Sequence, residues 1–121
     1  MPKKRILVVD DEVNQALLYE QELMDEGYDV DLANTGTDAV ALVKEKSYDL
    51  VVLDIGMPEM DGLETLGRML SMDNKLPVIL NTAYPSYKDN FMSWAADAYV
   101  VKSSDLTELK SKIKESLTKH P

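Results

Sequence analysis

Carboxylates stand directly after two of the most apolar stretches of the chain. Asp10 and Asp11 follow the run ILVV at residues 6–9, and Asp54 follows LVVL at residues 50–53. A strand that is buried on both faces and ends in a carboxylate brings a charge to the edge of a dry interior, so these carboxylates need a physical reason. Carboxylate oxygens suit Mg²⁺, and a carboxylate can also act as a nucleophile toward phosphorus.

Two further apolar runs end in residues that match this chemistry. Asn81 and Thr82 follow VIL at residues 78–80, and Lys102 follows YVV at residues 99–101. If the ends of all these runs meet, a metal ion and an ammonium would neutralise a phosphoryl group in transfer, and a hydroxyl would donate a hydrogen bond to it. The combination predicts a site for a metal ion and for phosphoryl transfer to a carboxylate.

The elements that would position these residues are five apolar runs that alternate with helical patterns. Four runs are continuously apolar, as expected of parallel strands buried on both faces, whereas the run VDLA at residues 30–33 belongs to an alternating stretch, residues 29–32, that is typical of an edge strand. Alternating strands and helices predict a parallel sheet covered on both faces. We expect a doubly wound α/β fold with five parallel strands in the order 2-1-3-4-5 and five helices. Ligands bind such sheets at the carboxyl ends of the strands, where the polar residues stand.

The helices are predicted from apolar residues that recur on one face and from their starting residues. Asp105 and Glu108 form a capping-box pattern before the last helix, and Asp61 and Glu64 repeat it before the third. The weak pattern at residues 84–96 predicts a shortened fourth helix. The predicted buried faces of the other four are Val13, Ala16, Leu17 and Met24; Ala39, Leu42 and Val43; Leu63, Leu66 and Leu70; and Leu106, Leu109, Ile113 and Leu117.

The composition of the chain bounds its class. Its 121 residues suit one domain, which we expect to extend over residues 1–121. The net charge of −9 disfavours nucleic acid, because binding a phosphate backbone relies on Lys and Arg. No apolar run is long enough for a membrane span, and the lack of cysteine fits a reducing compartment. We expect a cytoplasmic protein that binds neither nucleic acid nor membranes.

The motifs LVVDDE, VVLDIGMPEMDG, NTAY and AYVVKS resemble those of the receiver domains of two-component response regulators, the fold typified by the chemotaxis regulator. The resemblance extends over the whole chain. It implies a receiver that accepts a phosphoryl group from a phosphohistidine on a sensor histidine kinase or phosphotransfer protein, and we expect this receiver to be a stand-alone one. It also implies a change in the surface of the fourth helix, fifth strand and fifth helix, which a downstream protein reads. Such a domain is a phosphoacceptor that catalyses only its own phosphorylation and dephosphorylation, and we expect a monomer or weak dimer.

The resemblance also implies roles for the acidic residues. Asp54 is implied to be the phosphoacceptor. Mg²⁺ is implied to be held by Asp11, Asp54 and the backbone carbonyl of Gly56. Asp10 is expected nearby, or bound to the metal through water.

The residues that would contact the phosphoryl group are followed by departures from the family pattern. Thr82 and Lys102 are implied to contact that group, and Tyr99 is implied to be the aromatic switch that turns inward when Thr82 moves. Ser103 stands where proline usually follows the lysine, and Ala95 stands where glycine usually closes the fourth helix. The acceptor site therefore fits the family closely, whereas the output surface is unusual.

Two details around the site are predicted from its neighbours. The Lys102–Ser103 peptide is expected to be trans, with the ammonium still reaching Asp54, because a cis bond without proline costs about 2.5–4 kcal/mol. Gly56 offers no side chain to position an attacking water, and Tyr84 can shield the phosphoryl group. We therefore expect a long-lived aspartyl phosphate.

Alternative interpretations differ in what they require of the same residues. Asp10 and Asp11 could cap the first helix and Asp54 could shape a turn, but neither role asks for Thr82 and Lys102 at neighbouring strand ends. A flavodoxin-like cofactor binder would need a phosphate-binding loop after the first strand, where the sequence DDEVN is acidic and lacks glycine. A phosphatase or phosphotransferase with an aspartyl nucleophile would usually carry a second carboxylate two residues after the first, where this chain has Gly56. A receiver-shaped adaptor that acts by protein binding without phosphorylation remains the alternative.

Overall fold

Strands and helices alternate along residues 3–55, 62–83 and 95–119, which are the residues that the computed structural model describes. The strands are β1 (Arg5–Val9), β2 (Asp29–Ala33), β3 (Leu50–Leu53), β4 (Val78–Thr82) and β5 (Ala98–Val101). The helices within these ranges are α1 (Val13–Asp25), α2 (Gly36–Glu45), α3 (Gly62–Met72) and α4 (Thr107–Lys119). The segment predicted to form a short fourth helix falls largely at residues 84–94, outside the described residues.

The strands form one parallel sheet in the order β2-β1-β3-β4-β5, which confirms the doubly wound arrangement and the edge position of β2. In the register, Val9 is opposite Leu53 and Thr82 is opposite Val101. The carboxyl ends of β1 and β3 are therefore level with each other, as are those of β4 and β5. The residues that follow these strands are brought to the same edge of the sheet.

The core consists of one apolar layer on each face of the sheet. Side chains of a strand point alternately to opposite faces, so a strand that is covered on both sides must be apolar at every position. This is why β1 and β3 read as continuous apolar runs. One layer contains Leu7, Val9, Val51 and Leu53 against α2 and α3, and the other contains Ile6, Val8, Leu50 and Val52 against α1 and α4.

The predicted buried face of α1 is wrong. Val13, Leu17 and Met24 are about half exposed, at 54%, 49% and 52%, and only Ala16 of the predicted set is buried. The buried residues of α1 are Ala16, Tyr19 and Leu23. Apolar residues occur around much of this helix, so its sequence offers two competing faces. Packing against the sheet selects the face that carries Tyr19, whose large ring covers more apolar area.

The predicted faces of the other described helices are confirmed. Their residues are either buried or packed against the two core layers.

The start of α4 is capped by Asp105, whose Oδ1 accepts a hydrogen bond from the backbone N–H of Thr107 at 2.9 Å. In a capping box, the side chain of Glu108 would accept a hydrogen bond from the backbone N–H of Asp105. That N–H donates instead to Ser103 Oγ at 3.1 Å, so the predicted capping box is not formed. Asp61 lies outside the described residues. None of the helices described is both long and apolar enough to cross a membrane.

Candidate functional site

Asp10 and Asp54 are held side by side by hydrogen bonds that extend the sheet one residue past the strands. The N–H of Asp54 donates to the carbonyl of Val9 at 2.9 Å, and the N–H of Asp10 donates to the carbonyl of Ala33 at 3.0 Å. Because the backbone is still part of the sheet at these positions, both carboxylates have little freedom to move apart. Asp10 is 1% exposed and Asp54 is 7% exposed.

Asp10 has both a structural and a site role. Its Oδ1 accepts from the N–H of Glu12 at 2.9 Å, which satisfies the chain just before α1, and its Oδ2 accepts from Lys102 Nζ at 2.8 Å. Its backbone carbonyl accepts from Asn34 Nδ2 at 3.0 Å, so the loop after β2 also fixes this residue. Asp10 therefore anchors the residue before α1 and contacts Lys102, but it does not cap α1, whose N-cap is Glu12 with no side-chain hydrogen bond.

Lys102 joins the end of β5 to the carboxylates. Its backbone N–H donates to the carbonyl of Thr82 at 2.7 Å. Its ammonium donates to Asp10 Oδ2 at 2.8 Å, to Asp54 Oδ2 at 3.1 Å and to Gln15 Oε1 at 2.8 Å. No cis peptide bond occurs among the described residues, so the Lys102–Ser103 bond is trans. The prediction of a trans bond with the ammonium reaching Asp54 is confirmed.

The acidic group formed by Asp10, Asp11 and Asp54 has the chemistry of a divalent-cation site. Each offers a carboxylate oxygen, and these oxygens lie within 4.8 Å of one another. Mg²⁺ holds its ligands at about 2.0–2.1 Å, so oxygens this close together could share one ion. Three negative charges beside the single positive charge of Lys102 leave an excess of two, which a divalent cation would neutralise.

Asp11 is the most accessible of the three carboxylates. It is exposed, and among the residues described nothing donates a hydrogen bond to its carboxylate. Both oxygens of Asp10, in contrast, already accept hydrogen bonds from protein groups. These contacts favour Asp11 as a direct ligand and Asp10 as one that acts nearby or through water.

The buried charges shift each other's pKa values. Burial raises the pKa of Asp10 above its ordinary value, and the hydrogen bonds from Lys102 and from the N–H of Glu12 oppose this only in part. Burial alone would lower the pKa of Lys102, but the hydrogen bond to Asp10 and the charge of Asp54 raise it above its ordinary value. The ammonium therefore remains charged at neutral pH. A group can neutralise a phosphoryl oxygen only in this charged form.

The other predicted site residues are only partly described. Thr82 is fully buried at the end of β4, and its carbonyl is bonded to Lys102. Tyr99 is half-buried and packs against the core layer next to α2 and α3. Gly56 and Tyr84 lie outside the described residues, so the metal-binding carbonyl and the long-lived phosphate stay predictions.

Gly62 supports the segment that carries Asp54. The first residue of α3 lies so close to the end of β3 that a Cβ there would overlap Ile55 Cα and lie 2.8 Å from the carbonyl oxygen of Asp54. Only glycine allows this close approach. The glycine in the motif MPEMDG therefore has a packing reason.

Two residues at the site were missed from the sequence. Asn34 and Gln15 both bond directly to site residues, yet each is separated from its partner by many positions in the chain, 24 for Asn34 and 87 for Gln15. Asn34 follows β2 directly, so its place at the carboxyl end of the sheet was the available signal. Gln15 has no comparable signal, because its contact depends on a flexible side chain.

Comparison with known proteins identifies the class that this fold and site define. The response regulator receiver domain family matches residues 6–114, and the chain belongs to that family. It is 40% identical over 115 residues to the transcriptional regulatory protein ZraR of Klebsiella oxytoca, covering 93% of this chain and 26% of ZraR. The chain thus spans about a quarter of ZraR's length, and about half of that of YkoG from Bacillus subtilis.

Two solved structures are similar over nearly the whole chain. The response regulator TrrA of Thermotoga maritima, in complex with Mg²⁺-BeF, is 48% identical with a TM-score of 0.91, covering 93% of this chain and 98% of TrrA. TrrA in complex with the histidine kinase ThkA is 48% identical with a TM-score of 0.89, covering 94% of this chain and 98% of TrrA. The sheet order is therefore that of a receiver domain.

Proposed function

We propose that this receiver accepts a phosphoryl group on Asp54, with Mg²⁺ held by Asp11, Asp54 and the Gly56 carbonyl and with Asp10 nearby or bound through water. A carboxylate oxygen of Asp54 attacks the phosphorus of a phosphohistidine. The phosphorus–nitrogen bond breaks, and its electron pair stays on the imidazole of the donor. The observation that carries the proposal is the ammonium of Lys102, which lies 3.1 Å from Asp54 Oδ2 within a cluster of three carboxylates.

The remaining residues act on the transferred group and on its consequences. Lys102 neutralises the phosphoryl oxygens, to which a bound Mg²⁺ would add its positive charge, and Thr82 donates a hydrogen bond to one of them. Movement of Thr82 then lets Tyr99 turn inward, which changes the surface around β5 that a downstream protein reads. The donor is a sensor histidine kinase or a phosphotransfer protein, which the ThkA–TrrA complex supports by similarity. We propose that residues 1–121 act as one receiver unit in this exchange.

Asp54→Asn tests the acceptor role. Incubation of the parent with Mg²⁺ and acetyl phosphate is expected to add the mass of one phosphoryl group. The variant should take none, because its side-chain amide is a poor nucleophile of nearly the same shape as the carboxylate. Intact-protein mass spectrometry measures both.

Asp29→Asn is the matched control, because it makes the same change at an exposed position in β2. It should label like the parent. Labelling of Asp54→Asn at the parent level would refute the acceptor assignment. A parent that takes up no phosphoryl group would favour the adaptor that acts by protein binding alone.

A further inference from the structure

Gln15 is the third acceptor of the Lys102 ammonium and is the member of this arrangement that family motifs do not include. A lysine ammonium has three N–H donors, and here they are directed to Asp10, Asp54 and Gln15 at 2.8, 3.1 and 2.8 Å. These acceptors come from the ends of β1 and β3 and from the first turn of α1. The ammonium is therefore fixed from three directions.

The local structure of α1 leaves Gln15 available for this contact. Glu12 is the N-cap of α1, which places Gln15 three residues after the cap. A glutamine there commonly reaches back to the N–H of the N-cap residue. In this protein that N–H already donates to Asp10 Oδ1 at 2.9 Å. Gln15 can therefore direct its carbonyl oxygen to Lys102.

The three acceptors differ in charge and in exposure. Asp10 and Asp54 are buried carboxylates, whereas Gln15 is a neutral amide on the exposed side of the site. The two carboxylates add the attraction of opposite charges to their hydrogen bonds with the ammonium, whereas the Gln15 amide has no net charge, and water competes most with exposed contacts. A phosphoryl oxygen that approached Lys102 would replace Gln15 more easily than either carboxylate.

We propose that Gln15 is a positioning residue that holds Lys102 over the acidic site while the phosphoryl position is empty and gives up its place to a phosphoryl oxygen. The second half of this inference rests on the proposed function at Asp54. The exchange also breaks the contact between α1 and the residue that follows β5. Phosphorylation would thereby change the attachment of the first turn of α1.

The hold on Lys102 is tested in the unphosphorylated protein. NMR of the ¹⁵N-labelled lysine ammonium groups, with the Lys102 signal identified by its loss in Lys102→Arg, reports how fast the Nζ hydrogens exchange with water. Gln15→Ala should speed this exchange several-fold, and Gln15→Glu should keep it slow because it retains an acceptor. Gln21→Ala is the matched control, since Gln21 lies on the same helix and bonds to Asp25. Unchanged exchange in Gln15→Ala would overturn the positioning role.

The exchange of acceptors is tested by the affinity for beryllofluoride in the presence of Mg²⁺, measured by calorimetry. Gln15→Glu should weaken this affinity at least about tenfold, because the anion must displace a carboxylate and meets an added negative charge. Gln21→Glu adds the same charge farther along α1 and should bind as the parent does. Equal affinities for Gln15→Glu and the parent would refute the exchange.

The two measurements separate the inference from the proposed function. A parent that bound no beryllofluoride would refute both phosphoryl uptake and the exchange of acceptors. The hydrogen-exchange rates would still decide whether Gln15 positions Lys102, because they require no phosphoryl group or analogue.

Discussion

Asp11 differs from the other two carboxylates of the site because it is exposed. We therefore expect metal affinity to depend most on Asp11. Asp10 is saturated by Glu12 and Lys102, and Asp54 is bonded to Lys102. A cation that approaches from solvent therefore meets Asp11 without first displacing a protein donor among the described residues. Direct coordination by Asp11 is the expected result.

Asp11→Ala is therefore expected to weaken Mg²⁺ binding by at least about tenfold, since losing a direct ligand should cost no less than losing an outer-shell partner. Calorimetric titration with Mg²⁺ measures the affinity. The neighbouring exposed Glu12→Ala serves as the control. The urea midpoint of metal-free Asp11→Ala should be equal to or above that of the parent, because one of three clustered anions is removed. Equal Mg²⁺ affinity in Asp11→Ala and the parent would exclude Asp11 as a ligand.

The contact between α3 and the end of β3 couples a helix to the position of Asp54. Gly62→Ala places a methyl group against Ile55 Cα and the Asp54 carbonyl. We expect a loss of about 1–3 kcal/mol in the free energy of unfolding, as for other overpacked sites, together with slower phosphoryl uptake. Chemical denaturation and mass spectrometry measure the two effects. Gly27→Ala is unsuited as a control because Gly27 has a φ of 96°, so Ser71→Ala on the exposed side of α3 is preferred.

Tyr48 ties the chain before β3 to the edge strand β2. Its hydroxyl donates to Asp31 Oδ2 at 2.7 Å. This hydrogen bond lowers the pKa of Asp31, while burial and the same contact raise the pKa of Tyr48 above its ordinary value. The contribution of Asp31 to stability is present above the ordinary pKa of aspartate and is lost as the pH falls through its lowered pKa. That of Tyr48 is present below the ordinary pKa of tyrosine and is lost as the pH rises through its raised pKa.

Tyr48→Phe should therefore lower the free energy of unfolding at pH 7 by about 0.5–1.5 kcal/mol, toward the lower end because Asp31 is partly exposed. The difference from the parent should shrink as the pH falls through the lowered pKa of Asp31. Urea unfolding between pH 7 and pH 3 measures it. Tyr28→Phe removes a hydroxyl elsewhere and provides the comparison. A difference that is constant over this range would show that the hydrogen bond to Asp31 is not its source.

The sequence predicts the elements well where one physical cause dominates. β1, β3 and β4 are recognised because strands covered on both faces must be apolar throughout, and the alternation of β2 marks it as an edge. In α1 the apolar pattern does not single out one buried face. Leu17, Leu18 and Tyr19 are consecutive and apolar, and only the shape of the sheet surface decides which of them is buried.

The site shows the same division. Asp10, Asp54 and Lys102 were predictable because each follows a strand, and parallel strands bring their carboxyl ends to one edge. Gln15 was not predictable, because its contact with Lys102 depends on one rotamer of a long side chain on a helix. The hydrogen bond from the backbone N–H of Glu12 to Asp10, which leaves Gln15 available, cannot be inferred from residue spacing either.

At the scale of the whole molecule, the acidic site is an unfavourable concentration of charge in a chain that already carries a net charge of −9. A cation that binds only the folded protein stabilises it by mass action. We expect Mg²⁺ at one hundred times its dissociation constant to raise the free energy of unfolding by about 2.7 kcal/mol. Thermal or urea unfolding with and without Mg²⁺ measures the gain.

Sodium chloride at matched ionic strength separates this effect from general screening, and Asp11→Ala should lose most of the gain. If sodium chloride stabilised the protein as much as Mg²⁺ does, specific binding at the acidic site would be excluded.

The edge position of β2 affects how copies of the protein meet at high concentration. An edge strand presents unpaired N–H and carbonyl groups to which a strand of another chain could add. β2 carries Asp29 and Asp31, and a second copy that paired with this strand would bring like charges close together. Growth of the sheet into fibrils is therefore opposed at neutral pH and becomes easier in acid, where the carboxylates are protonated. The alternation that identifies β2 as an edge therefore also places the charges that oppose the addition of a further strand.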